Sequence, residues 1–282
     1  MDMTRVWAVP DPVRSQPLAF GLAFALAGAG VAPAWAADKK TEEAAEIATF
    51  VLGNTLFTLY HELGHALIDK LGIPVLGKEE DAVDGLATLL MLPEESDDRS
   101  DELILAAADG YGLAHDQGSE DELAFWDSHS LDLQRYGAVN CLIFGSDPEG
   151  FADLAKQIEM PESEQARCPE TYEQTLTSWM ALLDQHFRED DDDDGGRIHI
   201  RFDPPDGDID PALVAFLKAS PVIAEATAGV AESVILPEDF NVVFASCGTI
   251  NAFYDPGTGD VTMCYEIVAY FAKLIAEELK AR

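Results

Sequence analysis

From Thr41 to Leu71 no proline interrupts the chain, and Leu52, Leu56, Leu59, Leu63 and Leu67 recur at three- and four-residue steps. That period predicts one long amphipathic helix over 41–70, stopped by Gly72 and Pro74. Thirty helical residues make a rod about 45 Å long. Any fold open to this chain has to be built around it. Inside the rod lies His61-Glu62-Leu63-Gly64-His65. Side chains four apart on a helix sit one above the other on one face. Two imidazoles so placed can share one Zn²⁺, and a glutamate beside the first is suited to take a proton from water activated by the ion. His61 and His65 are therefore expected as zinc ligands and Glu62 as a catalytic general base.

Catalytic zinc takes three protein ligands and leaves one position open. After Gly72 and Pro74 a short connection leads to a second predicted helix, Glu79 to Leu92, closed by Pro93. Its start offers Glu79, Glu80, Asp81 and Asp84. Glu79 shares a face with Val83, Leu86 and Leu90, a packing stripe, whereas Glu80 lies one turn before Asp84 on another face. Glu80 is the expected third ligand. Asp84 is expected to accept the free N–H of a ligating histidine, outside the ligand set itself. Glu79 and Asp81 are assigned to the favourable charge at a helix start. An oxyanion donor is also needed for acyl chemistry. His129 is the candidate, in the polar run Trp126-Asp127-Ser128-His129, with Asp132 and Arg135 following at three-residue steps of a helix predicted over Glu120–Phe144.

The N-terminus has the pattern of an export signal. Arg5 and Arg14 precede an apolar run from Leu18 to Val31, and Ala34-Trp35-Ala36 makes a small-x-small cleavage site. Cleavage near Ala36 gives a periplasmic or secreted protein without a stable membrane anchor. Four cysteines then pair in an oxidising compartment, and the sequence-local pairing, Cys141 with Cys168 and Cys247 with Cys264, is favoured. The formal net charge is −36, from 53 acidic and 17 basic residues. Such a field repels phosphate backbones and excludes nucleic acid as a partner. Acidic stretches at Asp190–Asp194 and Asp206–Asp210 do not follow a calcium-loop pattern and read as solvated charge.

The rest of the chain reads as α+β: a mainly helical zincin-like core, then a small strand and hairpin region with a terminal helix. Further helices are expected over Leu103–Leu113, Phe151–Gln157 and Tyr172–Phe187. Past the acidic run at Glu189–Asp194 the pattern alternates, with strands at Arg197–Phe202, Asn241–Ser246 and a hairpin built from Asn251–Tyr254 and Val261–Tyr265. Pro211–Ser233 is helical with a break at Pro221, and Glu266–Arg282 closes the chain as an amphipathic helix. The expected organisation is a signal peptide at 1–36, a helical region at 37–188, an acidic linker at 189–196 and an α+β region at 197–282 that completes the same unit.

YHELGHAL (Tyr60 to Leu67) followed by GKEEDAVDGLATLLML (Gly77 to Leu92) resembles a bacterial family of exported metallopeptidase-like proteins of undefined role. His129–Pro148, Arg167–Gln174 and Asn251–Glu266 contain further segments similar to that family. The combination of HExxH with a later glutamate is similar to the gluzincin peptidases. The resemblance implies zinc, Glu62 as general base and Glu80 as third ligand, with a peptide or protein as substrate. The interval from His65 to Glu80 is shorter than in well-known gluzincins, and no strand is expected before the HExxH helix. The alternative reading is an exported metal-binding or interaction protein on the same scaffold with little turnover. An intact Glu62 favours the enzyme.

Overall fold

The computed structural model describes residues 34–92, 98–117, 125–188 and 195–282. The export segment up to residue 33 and the acids at 189–194 lie outside these. The rod is α1, Ala34–Leu71, which begins seven residues before the expected start. Leu56, Leu59, Leu63 and Leu67 are all buried, as their spacing requires. Full burial of each such side chain stabilises by roughly 1.5–3 kcal/mol. Gly72 ends the helix in the left-handed region, φ 63°. Its N–H donates to the Asp69 carbonyl, and the Ile73 N–H reaches back to the Ile68 carbonyl at 2.9 Å. This double bond pattern satisfies carbonyls that the helix end would leave open.

Helix α2, Glu79–Met91, folds back on α1 and buries Val83, Leu86, Ala87 and Leu89. Helices α3 (Asp98–Gln117), α4 (Asp132–Ser146), α5 (Ala152–Gln157) and α6 (Glu162–Leu183) complete the helical part. One expectation fails here. Residues 125–131 are irregular, and α4 starts only at Asp132. Tertiary bonds hold this segment: Lys78 Nζ donates to the carbonyls of Asp127 and His129, and Ser130 Oγ donates to Asp81 Oδ1 at 2.7 Å. Three-residue steps therefore do not carry from His129 into α4. Helices α3 and α6 are longer than expected at both ends and at the start, respectively.

Strand β1 (Ile198–Phe202) precedes helices α7 (Pro211–Ala219) and α8 (Val222–Ser233). Strands β2 (Phe240–Ala245), β3 (Ala252–Asp255) and β4 (Asp260–Cys264) then lead into α9, Tyr265–Ala281. The sheet order is β1-β2-β4-β3, parallel except for the β3–β4 hairpin. Strand β3 is thus an edge. The molecule is α+β and mainly helical.

The main apolar cluster runs without a break from Leu59 and Leu63 of α1 to Val242, Phe244 and Met263 of the sheet. Disulfides join Cys141 to Cys168 and Cys247 to Cys264, the sequence-local pairing. The first ties α4 to α6, and the second ties the loop after β2 to the end of β4. Such bonds are characteristic of oxidising compartments. Among the described residues no single helix is long and apolar enough to cross a membrane.

Candidate metal centre

Gly64 decides how close α2 can lie to α1. A Cβ on Gly64 would stand 2.9 Å from both Cβ and Cγ1 of Val83. No real contact is that short, so only glycine permits this approach. The approach brings the first turns of α2 onto the histidine face of α1.

Three donor atoms converge as a result. His61 Nε2 lies 3.1 Å from Glu80 Oε2, His65 Nε2 lies 3.3 Å from the same oxygen, and the two nitrogens are 3.3 Å apart. Tetrahedral coordination with bonds of about 2.0–2.1 Å separates donors by about 3.3–3.4 Å. The triangle is thus already near the size that zinc requires. The donor set, two imidazoles and a carboxylate, is also one that zinc accepts. Two other groups, Cys141 with Cys168 beside Glu164 and Cys247 with Cys264 beside Glu266, place possible ligand atoms together. Their sulfurs are joined as disulfides and offer no thiolate.

The outer nitrogens of the histidines are held by carboxylates. Asp84 Oδ1 accepts from His61 Nδ1 at 2.8 Å, and Glu79 Oε1 accepts from His65 Nδ1 at 2.7 Å. The role of Glu79 was missed from sequence, where its packing face concealed it. Asp84 is buried and receives two further bonds from Arg135, Nε to Oδ2 and Nη2 to Oδ1, both 2.7 Å. The Arg135 guanidinium in turn lies over the Tyr111 ring, 4.4 Å from its centroid.

These contacts set the electrostatics. Burial would lower the His61 pKa, but hydrogen bonds to Asp84 and Glu80 outweigh it and raise it to about 9. For His65, burial is likewise outweighed by Glu80 and Glu79, and the net shift is upward. Glu80 is held well below the usual carboxylate range, first by His129 and then by His61 and His65. Glu62 is buried, and its desolvation raises it, while His61, His65 and the backbone N–H of Tyr254 pull the other way. The net upward shift leaves Glu62 a stronger base than an ordinary carboxylate.

His129 stands beside the triangle. Its ring stacks on His61 at 5.8 Å between centroids, Nε2 lies 3.0 Å from Glu80 Oε2, and Nδ1 lies 3.2 Å from Asp127 Oδ1. Irregular residues bring it there, as described above. His61, Glu62, His65, Glu80 and His129 all line one open cleft of about 1360 Å³. Strand β3 forms the opposite wall. Cys264 N donates to Asn251 O across the hairpin, so Ala252 and Tyr254 direct their backbone polar groups away from β4. The Tyr254 N–H reaches the Glu62 carboxylate, and its phenol donates to Asp69 Oδ2 at 2.6 Å.

The sequence profile of a family described as "Putative metallopeptidase" matches residues 30–183 and 202–282. The matched residues include the whole donor triangle and the β3 wall. No functionally curated protein and no solved structure matches the chain.

Proposed function

The chain belongs to that metallopeptidase family, and from this premise we propose that it is a zinc-dependent peptidase with His61, His65 and Glu80 as ligands and Glu62 as general base. The observation that carries the reading is the donor triangle, with edges of 3.1, 3.3 and 3.3 Å in a cleft beside a buried glutamate. Zinc bound there supplies a Lewis acid that makes a water acidic near neutral pH and polarises a peptide carbonyl.

Glu62, buried beside the triangle, would serve as the base that takes a proton from the attacking water and as the acid that returns it to the leaving amine. Its upward-shifted pKa suits both transfers, because a base must also be a usable acid in the second step. His129 faces the same space from the other side of Glu80. With Asp127 on Nδ1, its Nε2–H is donated to Glu80 Oε2 at 3.0 Å in the metal-free protein, and it would turn to a developing oxyanion once that carboxylate is engaged by the ion. Asp84 and Glu79 fix the orientation of the two ligand rings. An extended peptide would add as a further strand along the outer edge of β3, where the Ala252 backbone groups and the Tyr254 carbonyl face away from β4 and only the Tyr254 N–H is held by Glu62.

The N-terminal sequence pattern and the disulfides support the same reading. The signal pattern ending near Ala36 and the two disulfides fit a periplasmic or secreted enzyme acting on peptide or protein substrates. The net charge of −36 disfavours nucleic acid.

The test is metal analysis with a peptide-library assay on wild type and Glu62→Gln. The expected result is one zinc in both proteins and hydrolysis only in wild type. A wild-type protein that binds zinc without cleaving any peptide would favour the metal-binding alternative, and one that binds no zinc would remove both.

A further inference from the structure

We propose that Arg135 is a positioning residue for the metal centre, fixing through Asp84 which nitrogen of His61 is free for the ion. This rests on the zinc reading given above. Four helices contribute to the chain of contacts. Arg135 of α4 lies over Tyr111 of α3, grips Asp84 of α2 with two N–H groups at 2.7 Å, and Asp84 accepts from His61 of α1 at 2.8 Å. Asp84 Oδ1 is shared, taking a bond from Arg135 Nη2 and one from His61 Nδ1.

The direction of these bonds follows from chemistry. Guanidinium has donors only and no acceptor. Both Asp84 oxygens are therefore engaged as acceptors, and the hydrogen between Asp84 and His61 sits on Nδ1. In the neutral ring that binds a metal, this tautomer directs the Nε2 lone pair towards Glu80 and His65, where the ion is expected. A lysine cannot make the same paired contact or lie flat on an aromatic ring. Arg135 also balances charge. Glu62, Glu80 and Asp84 gather around the two histidines, and Arg135 is the one lysine or arginine among the described residues that line the cleft. A buried carboxylate deprived of its partner is strongly destabilising. The guanidinium bonds Asp84, which holds the Nδ1 of His61, while Glu80 meets the opposite nitrogen, Nε2, so Arg135 acts through Asp84.

The readout is zinc affinity by chelator competition, with melting temperature measured in parallel, for wild type, Arg135→Met, Arg135→Lys, Asp84→Asn and the Asp84→Asn/Arg135→Met double variant. Loss of a partner behind a ligand typically weakens metal binding 10–100-fold. Arg135→Met is expected to show a loss of about that size, and Arg135→Lys a smaller one. In the Asp84→Asn background, Arg135→Met is expected to add little, because the route through Asp84 is already cut. If Arg135→Met and Arg135→Lys lower melting temperature but bind zinc like wild type, Arg135 is only a structural tie and the proposal fails. Independent, multiplying losses in the double variant also overturn it. Should Arg135→Met not fold, the Arg135→Lys result decides between the same outcomes. Wild-type protein without zinc affinity would overturn the peptidase reading itself, a result distinct from an unaltered Arg135 variant.

Discussion

At the scale of single residues, the Glu80 carboxylate is the point on which three imidazoles converge, and its removal is the sharpest test of the ligand set. Glu80→Ala is expected to lower zinc affinity by at least about 100-fold, measured by chelator competition. Unchanged affinity would transfer the third position to another acid. His61 gives a pH dependence whose sign is fixed by its raised pKa of about 9. In metal-free protein, the protonated ring stabilises the fold fully below its ordinary value of 6.5, and this contribution fades as pH rises through about 9. Zinc needs the ring deprotonated, so affinity runs the other way and rises with pH towards 9. Chelated protein should thus lose melting temperature between pH 7 and 9.5 while zinc-loaded protein holds it. Parallel melting curves would refute the assignment. Asp84, shifted downward, adds stability above the usual carboxylate range that is lost as pH falls through it.

The residue scale was also where sequence reading reached furthest. Helical spacing alone brings His61 to His65, and a single turn relates Glu80 to Asp84. Glu79 escaped because the same spacing places it on a packing stripe. Its bond to His65 depends on the angle between two helices, which a one-dimensional pattern does not contain. The polar company of His129 points to a role at the site, but the helical row expected to carry it is absent, because α4 starts only at Asp132. Lys78 and Asp81, 49 or more residues away in the chain, hold it through bonds that local propensity cannot register.

At the scale of elements, the centre depends on how tightly two helices pack. Gly64→Ala drives a methyl into Val83, and overpacking of this kind costs about 1–3 kcal/mol. Spreading α2 from α1 also pulls Glu80 off the histidines, so both melting temperature and zinc affinity should fall. Gly64→Ala/Val83→Gly should recover much of the zinc affinity, because the second change removes both Cβ and Cγ1 from the space the new methyl needs. Failure of that recovery would mean that the α1–α2 distance does not control the site. Strand β3 makes the opposite case. Turn residues between two short alternating runs made the hairpin readable. Its position against α1 was not readable, since Tyr254 meets Asp69 across 185 residues.

At the scale of the whole molecule, charge and covalent ties are the governing features. A chain with 53 acids and 17 bases repels itself, and added salt screens that repulsion. Melting temperature should rise between 10 mM and 1 M sodium chloride, and a fall would show that specific ion pairs outweigh the net field. The mixed α+β class was visible beforehand because helical and alternating patterns occupy different parts of the chain. The continuity of the core from α1 to β4 was not, since contact between distant segments leaves no periodic trace.

The placement of the centre has a consequence for the order of events during folding. All three expected ligands fall within Glu80's short distance of His61, on two consecutive helices, and contacts so close in the chain close their loops quickly. The β3 wall comes from residues 252–255 and has to return across most of the polypeptide. Assembly of the triangle and completion of the cleft thus rest on contacts of very different sequence separation, 15–19 residues against 185. The ligand triangle therefore asks for only two neighbouring helices, whereas the wall that faces it asks for nearly the whole chain.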